Sequence, residues 1–257
     1  MTTQRAIAAA LLAVSLTACD KNAVQPLTGP VPGSYVKFFN FGVNAPQVNF
    51  YANDLKVTAI QSTSGTESTL GVAYGAAGIG GFYSAVEPGQ YALTGRIAAA
   101  TDKDLVIATV NTTLEESKKY SFYLSGFYNT TTKQVEGFVV EDVYPEEIDY
   151  SVALVRFVNA ISNANPMTLY VKSTVAPNAE SAVGGAVGYK AGGTFASITP
   201  GVYDLSTRYA GQTTNAITRT AVSFLGGRVY TISARGDITV TSTTATNRPF
   251  LDNTTNR

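Results

Sequence analysis

The sequence predicts an all-β protein of two tandem antiparallel β-sandwich domains behind a short apolar leader. Three observations carry that prediction. The chain repeats itself, its apolar runs keep strand periods, and its first 19 residues differ in kind from the rest.

The repeat is the strongest of the three. Val36-Lys37-Phe38-Phe39-Asn40 returns as Val155-Arg156-Phe157-Val158-Asn159. In both, a basic residue between apolar ones reads as a strand with one face inward and the other in water. A polar turn closes with Pro46 or Pro166, and Val48-Asn49-Phe50-Tyr51 is echoed by Met167-Thr168-Leu169-Tyr170. Gly71-Val72-Ala73-Tyr74 corresponds to Gly185-Ala186-Val187-Gly188-Tyr189 with one residue of slack. Pro88-Gly89-Gln90-Tyr91-Ala92-Leu93 corresponds to Pro200-Gly201-Val202-Tyr203-Asp204-Leu205, and Lys119-Tyr120-Ser121-Phe122 to Arg228-Val229-Tyr230-Thr231-Ile232.

Each copy consists of short runs rich in Val, Ile, Thr, Tyr and Phe, broken by Gly, Asn or Pro. That is the pattern of an antiparallel sandwich, of immunoglobulin-like or prealbumin-like type. Pro-Gly before Tyr-x-Leu is a turn feeding a strand. No stretch of the mature chain keeps a helical period over a dozen residues, although Thr112 to Lys119 could form one turn.

The N-terminus reads as an address. Arg5 gives a positive start, Ala6 to Leu16 is an apolar run too short to span a bilayer, and Leu16-Thr17-Ala18-Cys19 matches a bacterial lipobox. Cys19, the one Cys of the chain, is the expected lipidation site. Acyl chains there would anchor the mature protein, each buried CH₂ contributing about 0.8 kcal/mol. The expected organisation is therefore a lipoprotein signal peptide (1–18), a flexible tether (19–33), a first sandwich (34–142), an acidic linker (143–150), a second sandwich (151–242) and a polar tail (243–257). The expected compartment is the bacterial cell envelope, on the outer membrane and facing the periplasm or the surface.

Composition excludes several chemistries. The chain has no His, so a Ser-His-Asp triad, a Cys-His pair and every His-containing metal site are ruled out. One Cys allows no intramolecular disulfide. Lys plus Arg and Asp plus Glu both number 18, so no basic face for nucleic acid is expected. Hydrophobic residues at 45% leave enough apolar area for two cores.

The order Val-x-Phe-x-Asn, Ala-Pro, Val-x-Phe-Tyr, Gly-Val-Ala-Tyr-Gly, Pro-Gly-x-Tyr-x-Leu and Tyr-x-Phe-x-Leu-x-Gly resembles the bacterial family of domains of unknown function numbered 4397. It rests on Asn40, Ala45, Pro46, Val48, Tyr51, Tyr74, Gly75, Pro88, Gly89, Tyr91, Tyr120 and Gly126. The first copy carries the pattern better. The second lacks the Gly after Tyr189 and has extra residues around Ala176 to Gly184. The resemblance implies exported β-sandwich modules, often lipoproteins, without an established activity and without site residues to carry over.

Local motifs mostly favour structural readings. Gly75-Ala76-Ala77-Gly78-Ile79-Gly80-Gly81 lacks the helix and the Lys-Ser/Thr that a phosphate cradle needs, so it reads as a loop or bulge. Arg235-Gly236-Asp237 spells an adhesion tripeptide but falls where strands should turn. The Asn-x-Thr sequons at Asn111, Asn129 and Asn253 are expected to be unmodified in a chain rich in Thr and Asn. Fifteen Tyr and twelve Phe could stack on sugars, but two cores need many of them, and there is no Trp. Glu141 to Asp149 holds five acids in nine residues. It reads as a hydrated, extended linker between separately moving modules, with a Ca²⁺ site as the alternative. Tyr144 and Ile148 could dock on a domain end and limit the swing.

The leading expectation is a non-catalytic envelope lipoprotein serving structure, binding or adhesion, with an envelope protein or polysaccharide as partner and the membrane reached through the lipid. The alternatives are a carbohydrate- or small-ligand-binding lipoprotein and a carboxylate-dependent hydrolase. The hydrolase is disfavoured because Glu115 with Glu116, and Glu146 with Glu147, are sequence neighbours that tend to point apart. No catalytic, cofactor or metal residue is assigned.

Overall fold

A computed structural model describes residues 33–257, apart from Thr63 and Ile148. The expected signal peptide, Cys19 and the tether before Gly33 lie outside the described residues, as does Ile148 of the acidic segment.

The first half contains β1 (Ser34–Asn40), β2 (Val48–Ala52), β3 (Leu55–Lys56), β4 (Ala76–Ala77), β5 (Ser84–Val86), β6 (Gly89–Ile97), β7 (Val106–Leu114), β8 (Lys119–Asn129) and β9 (Gln134–Glu141). The second contains β10 (Ala153–Asn159), β11 (Met167–Ser173), β12 (Glu180–Val187), β13 (Ala191–Gly192), β14 (Ala196–Ile198), β15 (Gly201–Tyr209), β16 (Ile217–Phe224), β17 (Val229–Arg235) and β18 (Phe250–Thr255). Each half is a sandwich. The outer sheets run β3-β2-β6-β7 and β12-β11-β15-β16; the inner sheets run β4-β1-β8-β9 and β13-β10-β17-β18, with β5 and β14 also pairing β1 and β10. The pairing is antiparallel except for β1 with β8 and β10 with β17, which are parallel. In each half, the chain between the two members of the parallel pair also builds the outer sheet, which provides the long crossover a parallel pair requires.

Inside each sandwich the alternation works as the pattern predicts. Val36, Phe38, Phe50, Leu93, Ile107, Phe122 and Leu124 fill the first core; Val155, Phe157, Leu169, Leu205, Phe224 and Ile232 fill the second. The repeated Asn has a structural cause. The Asn40 amide donates to the carbonyls of Val72 (2.9 Å) and Pro46 (3.1 Å), and Asn159 donates to Val187 (3.2 Å). It ties the Gly-x-x-Tyr landmark to the end of the first strand in both copies. The repeated Tyr after Pro-Gly likewise closes a corner: Tyr91 donates to Glu87 O (2.8 Å) and Tyr203 to Thr199 O (2.7 Å). Thr112 to Lys119 forms no helical turn, because β7 runs to Leu114 and Ser117, at φ 63°, turns the chain into β8.

Two expectations are overturned. The polar tail is not a tail: its last residues form β18, which pairs along β17 and buries Leu251 completely. The halves are also not separate modules. Their inner sheets pack on one another through Phe39, Phe41, Tyr123 and Phe138 from the first and Val158 and Ala160 from the second, all buried in one cluster. Tyr123 is stacked between Phe39 (4.6 Å) and Phe138 (5.0 Å). Strands β1, β8, β10 and β17 are consequently buried on both faces. The body has four sheet layers with three cores.

Candidate functional site

The seam between the inner sheets is built by the repeat itself. Lys37 and Arg156 occupy equivalent positions of β1 and β10, opposite Ser121 and Thr231. Each was expected on a solvent face, yet each is 1% exposed. The contacts are reciprocal. Lys37 Nζ donates to Thr255 O at the end of β18 (2.5 Å), and Arg156 Nη1 donates to Glu141 O at the end of β9 (2.9 Å). Each cation also lies over the ring that precedes its neighbouring edge strand, Tyr83 for Lys37 (4.4 Å) and Phe195 for Arg156 (4.7 Å). Reciprocity of this kind marks approximate two-fold symmetry, as in a dimer of identical chains.

One carboxylate serves both cations. Asp142 pairs with Arg156 and accepts from Ser121 Oγ (2.8 Å) and Tyr83 Oη (2.6 Å). Its equivalent in the second copy is the neutral Asn256: the backbone N of each bonds the first residue of the neighbouring inner strand, Lys119 or Val229. The seam therefore buries two cations against one anion. Lys37 carries the imbalance, and burial lowers its ammonium from the ordinary lysine value to about 8, Asp142 raising it and Arg156 lowering it further. Burial holds the Tyr83 hydroxyl well above the ordinary tyrosine range and pushes Tyr123 and Tyr144 up to about 12.

The acidic segment is divided: Asp142 and Tyr144 belong to the seam, while Glu141, Val143, Pro145, Glu146, Glu147 and Asp149 are exposed, as a hydrated and non-helical linker would be. Asp142 is 4% exposed; Tyr144 donates to Asn256 O (3.3 Å), meets Phe195 edge-on (5.5 Å) and lies under the Lys119 ammonium (5.1 Å). Asp149 accepts from Ser151 N (2.8 Å), and the Arg257 guanidinium reaches Glu146 O. Among the described residues, no group of three or more His, Cys, Asp or Glu is placed to hold a metal ion.

The two edges of the seam differ. On the β9 side it is closed. Tyr189 bonds Ser125 (2.9 Å) and meets Phe138 edge-on (6.3 Å), Lys190 pairs with Glu136, and Val140 fills the space a Cβ on Gly192 would take. On the β18 side it opens into a groove of about 670 Å³. Its walls are Phe39, Phe41, Gly80, Gly81 and Phe82 from the first half and Leu225, Arg228, Asp252, Asn253 and Thr254 from the second. An insertion makes the difference. The register sets six residues (78–83) between Ala77 and Ser84 against three (193–195) between Gly192 and Ala196. The extra residues form a four-residue 3-10 turn, with Ile79 at φ 50° and Gly80 at φ 63°, and leave Phe82 74% exposed at the rim.

The sequence motifs fall mostly into structural roles. The Gly75–Gly81 run is β4 plus that short turn, with no helix behind it. Arg235 of the adhesion tripeptide is internal: Nε donates to Asp252 (2.5 Å), and the guanidinium lies 5.0–5.8 Å from the rings of Phe41, Tyr74 and Phe250. Asp237 accepts from Thr239 and Asn163. Asn129 shapes the β8–β9 turn by accepting from the N–H of Thr131 and Thr132, Asn253 lies within β18, and Asn111 is exposed on β7. Glu115 of the first carboxylate pair shares Lys118 with Glu141.

The free edge of β18 is obstructed. Carbonyls along it accept from Lys37 (Thr255) and Arg219 (Leu251, 2.7 Å), so strand addition there would have to displace both.

Residues 153–257 match the model of a domain of unknown function (DUF4397). The match covers the second copy, against the expectation that the first carries the pattern better, and it runs through β18 to the end of the chain. A search of curated proteins returned no match.

Proposed function

We propose that this chain is a non-catalytic binding module of the bacterial cell envelope, tethered through lipid on Cys19 to the outer membrane, that holds an envelope polysaccharide or protein in the groove on the β18 side of the seam. The observation that carries the reading is the asymmetry of the seam. Equivalent edges of a near-symmetric interface differ because one has gained three residues that build a wall and expose Phe82. An exposed aromatic beside a recess lined by Arg, Asp and Asn is the composition of a recognition site rather than a core. The exposed Phe82 ring beside Asp252 and Asn253 favours a sugar or other small polar ligand as the second reading.

Retention of envelope polysaccharides and proteins on the immobilised chain tests this, with Phe82→Ser as the comparison. Phe82 is an exposed rim residue, so the variant should keep its unfolding midpoint while the retained component falls about ten-fold or more. Equal retention by both forms would remove the groove from the account.

A further inference from the structure

We propose that the turn end of the second sandwich, around Tyr150, Val175 and Leu225, rests on the bilayer that holds the lipid anchor. The proposal rests on the reading of Cys19 as lipidated. The reciprocal Lys37 and Arg156 contacts put the starts of β1 and β10 at one end of the body, and Arg235 against Tyr74 and Phe41 puts their far ends together. The chain enters at the first of these ends, where Gly33 O accepts from Ser117 N (2.9 Å). Cys19 is fourteen residues upstream of Gly33 in the sequence, so the anchor joins the body through the end at which Gly33 lies.

That end is where the apolar exposure concentrates. Six described large apolar side chains are 60% exposed or more, and five of them (Leu55, Val143, Tyr150, Val175, Leu225) lie there. The repeat isolates what changed. Leu225 N and Glu115 N each bond the Tyr two places into the next inner strand, Tyr230 (3.1 Å) and Tyr120 (3.2 Å), so the two turns are equivalent. The first copy reads Glu115-Glu116-Ser117-Lys118; the second reads Leu225-Gly226-Gly227-Arg228. A Cβ on Gly226 would collide with Tyr150 O, and one on Gly227 would meet the Tyr150 ring at 2.5 Å. The glycines seat a ring that is nevertheless 82% exposed. An amphipathic ring held at a surface, with the exposed Arg228 next to the Gly227 it rests on, suits the headgroup level of a bilayer. Glu115 and Glu116 of the first copy's turn are exposed, as are Glu146, Glu147 and Asp149 between Val143 and Tyr150, whose carboxylates stay in water beside the ring.

The chain has no Trp, so a single introduced Trp reports alone. Tyr150→Trp and Phe127→Trp, the latter near the far end of β8, would be made in the full lipidated chain and reconstituted in vesicles of phosphatidylcholine with brominated acyl chains. Flotation should require Cys19 and fail for Cys19→Ser. In the floated protein, emission from Tyr150→Trp should fall to roughly half or less and shift to the blue, since interfacial contacts bury rings about 5–10 Å deep, while Phe127→Trp stays unchanged. Flotation without quenching at 150, or with equal quenching at 127, overturns the bilayer contact alone. Failure of the Cys19-bearing chain to float overturns the tether reading and the contact with it. A concentration-dependent blue shift of Tyr150→Trp in the Cys19→Ser chain without lipid would assign this end to a second copy and refute the proposal.

Discussion

Replacing Asp142 with alanine should destabilise the folded chain by about 3–5 kcal/mol, read from the shift of the urea midpoint at constant m-value. The loss arises because two buried cations, Arg156 and Lys37, are left with no anion near them, and the hydroxyls of Ser121 and Tyr83 lose their acceptor. Glu147→Ala, in the same acidic run but on an exposed residue, should stay within about 0.5 kcal/mol. A double-mutant cycle of Asp142→Ala with Arg156→Met should return a coupling above about 1 kcal/mol. Were the segment a hydrated linker, both single changes would be equally small. Equal effects would place Asp142 in water.

The second large effect is in the pH dependence. Lys37 titrates near 8 in the folded chain and near the ordinary lysine value when unfolded. Below pH 8 both states hold the proton, and the full cost of burying the ammonium is present. Between 8 and about 10.4 the unfolded state binds more protons than the folded one, so stability rises with pH. The seam tyrosines act in the opposite sense. Tyr83, Tyr123 and Tyr144 stay protonated when folded but ionise near 10 when unfolded, so their contribution is lost as pH climbs past 10. The chain should be most stable between about pH 9 and 10, above the usual optimum near neutrality. The full Lys37 term is on the order of 3 kcal/mol, of which the tyrosines cut off the last part. Tyr51, Tyr74, Tyr189 and Tyr209, also raised by burial, act in the same sense as the seam tyrosines as pH approaches 10. Lys37→Met should flatten the rise between pH 8 and 10. A wild-type profile that is already flat there would mean that Lys37 is hydrated.

Much of the fold was legible because it depends on local rules repeated twice. The Asn after Val-x-Phe, the Pro-Gly-x-Tyr corner and the alternation inside each sandwich each encode a contact within one copy. The seam was harder to read because its signals mimic surface ones. Lys37 and Arg156 between apolar neighbours look like an amphipathic strand, and Asp142 looks like any acid in an acidic run. One signal was nonetheless available. Phe38-Phe39 and Phe122-Tyr123-Leu124 do not alternate, and unbroken apolar runs belong to strands covered on both faces. Phe39 and Tyr123 form the third core. The groove had no comparable signature. It comes from a three-residue difference between the copies, which becomes visible only once the register fixes which residues are equivalent. β18 was missed because Phe-Leu-Asp-Asn-Thr-Thr is polar along most of its length and joins the sheet through backbone bonds to β17.

The central claim is that the two sandwiches are one body joined through a buried, charged seam. Its most direct test is equilibrium urea unfolding of residues 33–257 followed by two single-Trp probes, Phe50→Trp in the core of the first sandwich and Phe224→Trp in that of the second. Coincident transitions with one midpoint and one slope are expected, and Asp142→Ala should move them together to lower urea. Two separated transitions in the wild-type chain, with Asp142→Ala shifting neither or only that of the first sandwich, would show two independent modules and contradict it.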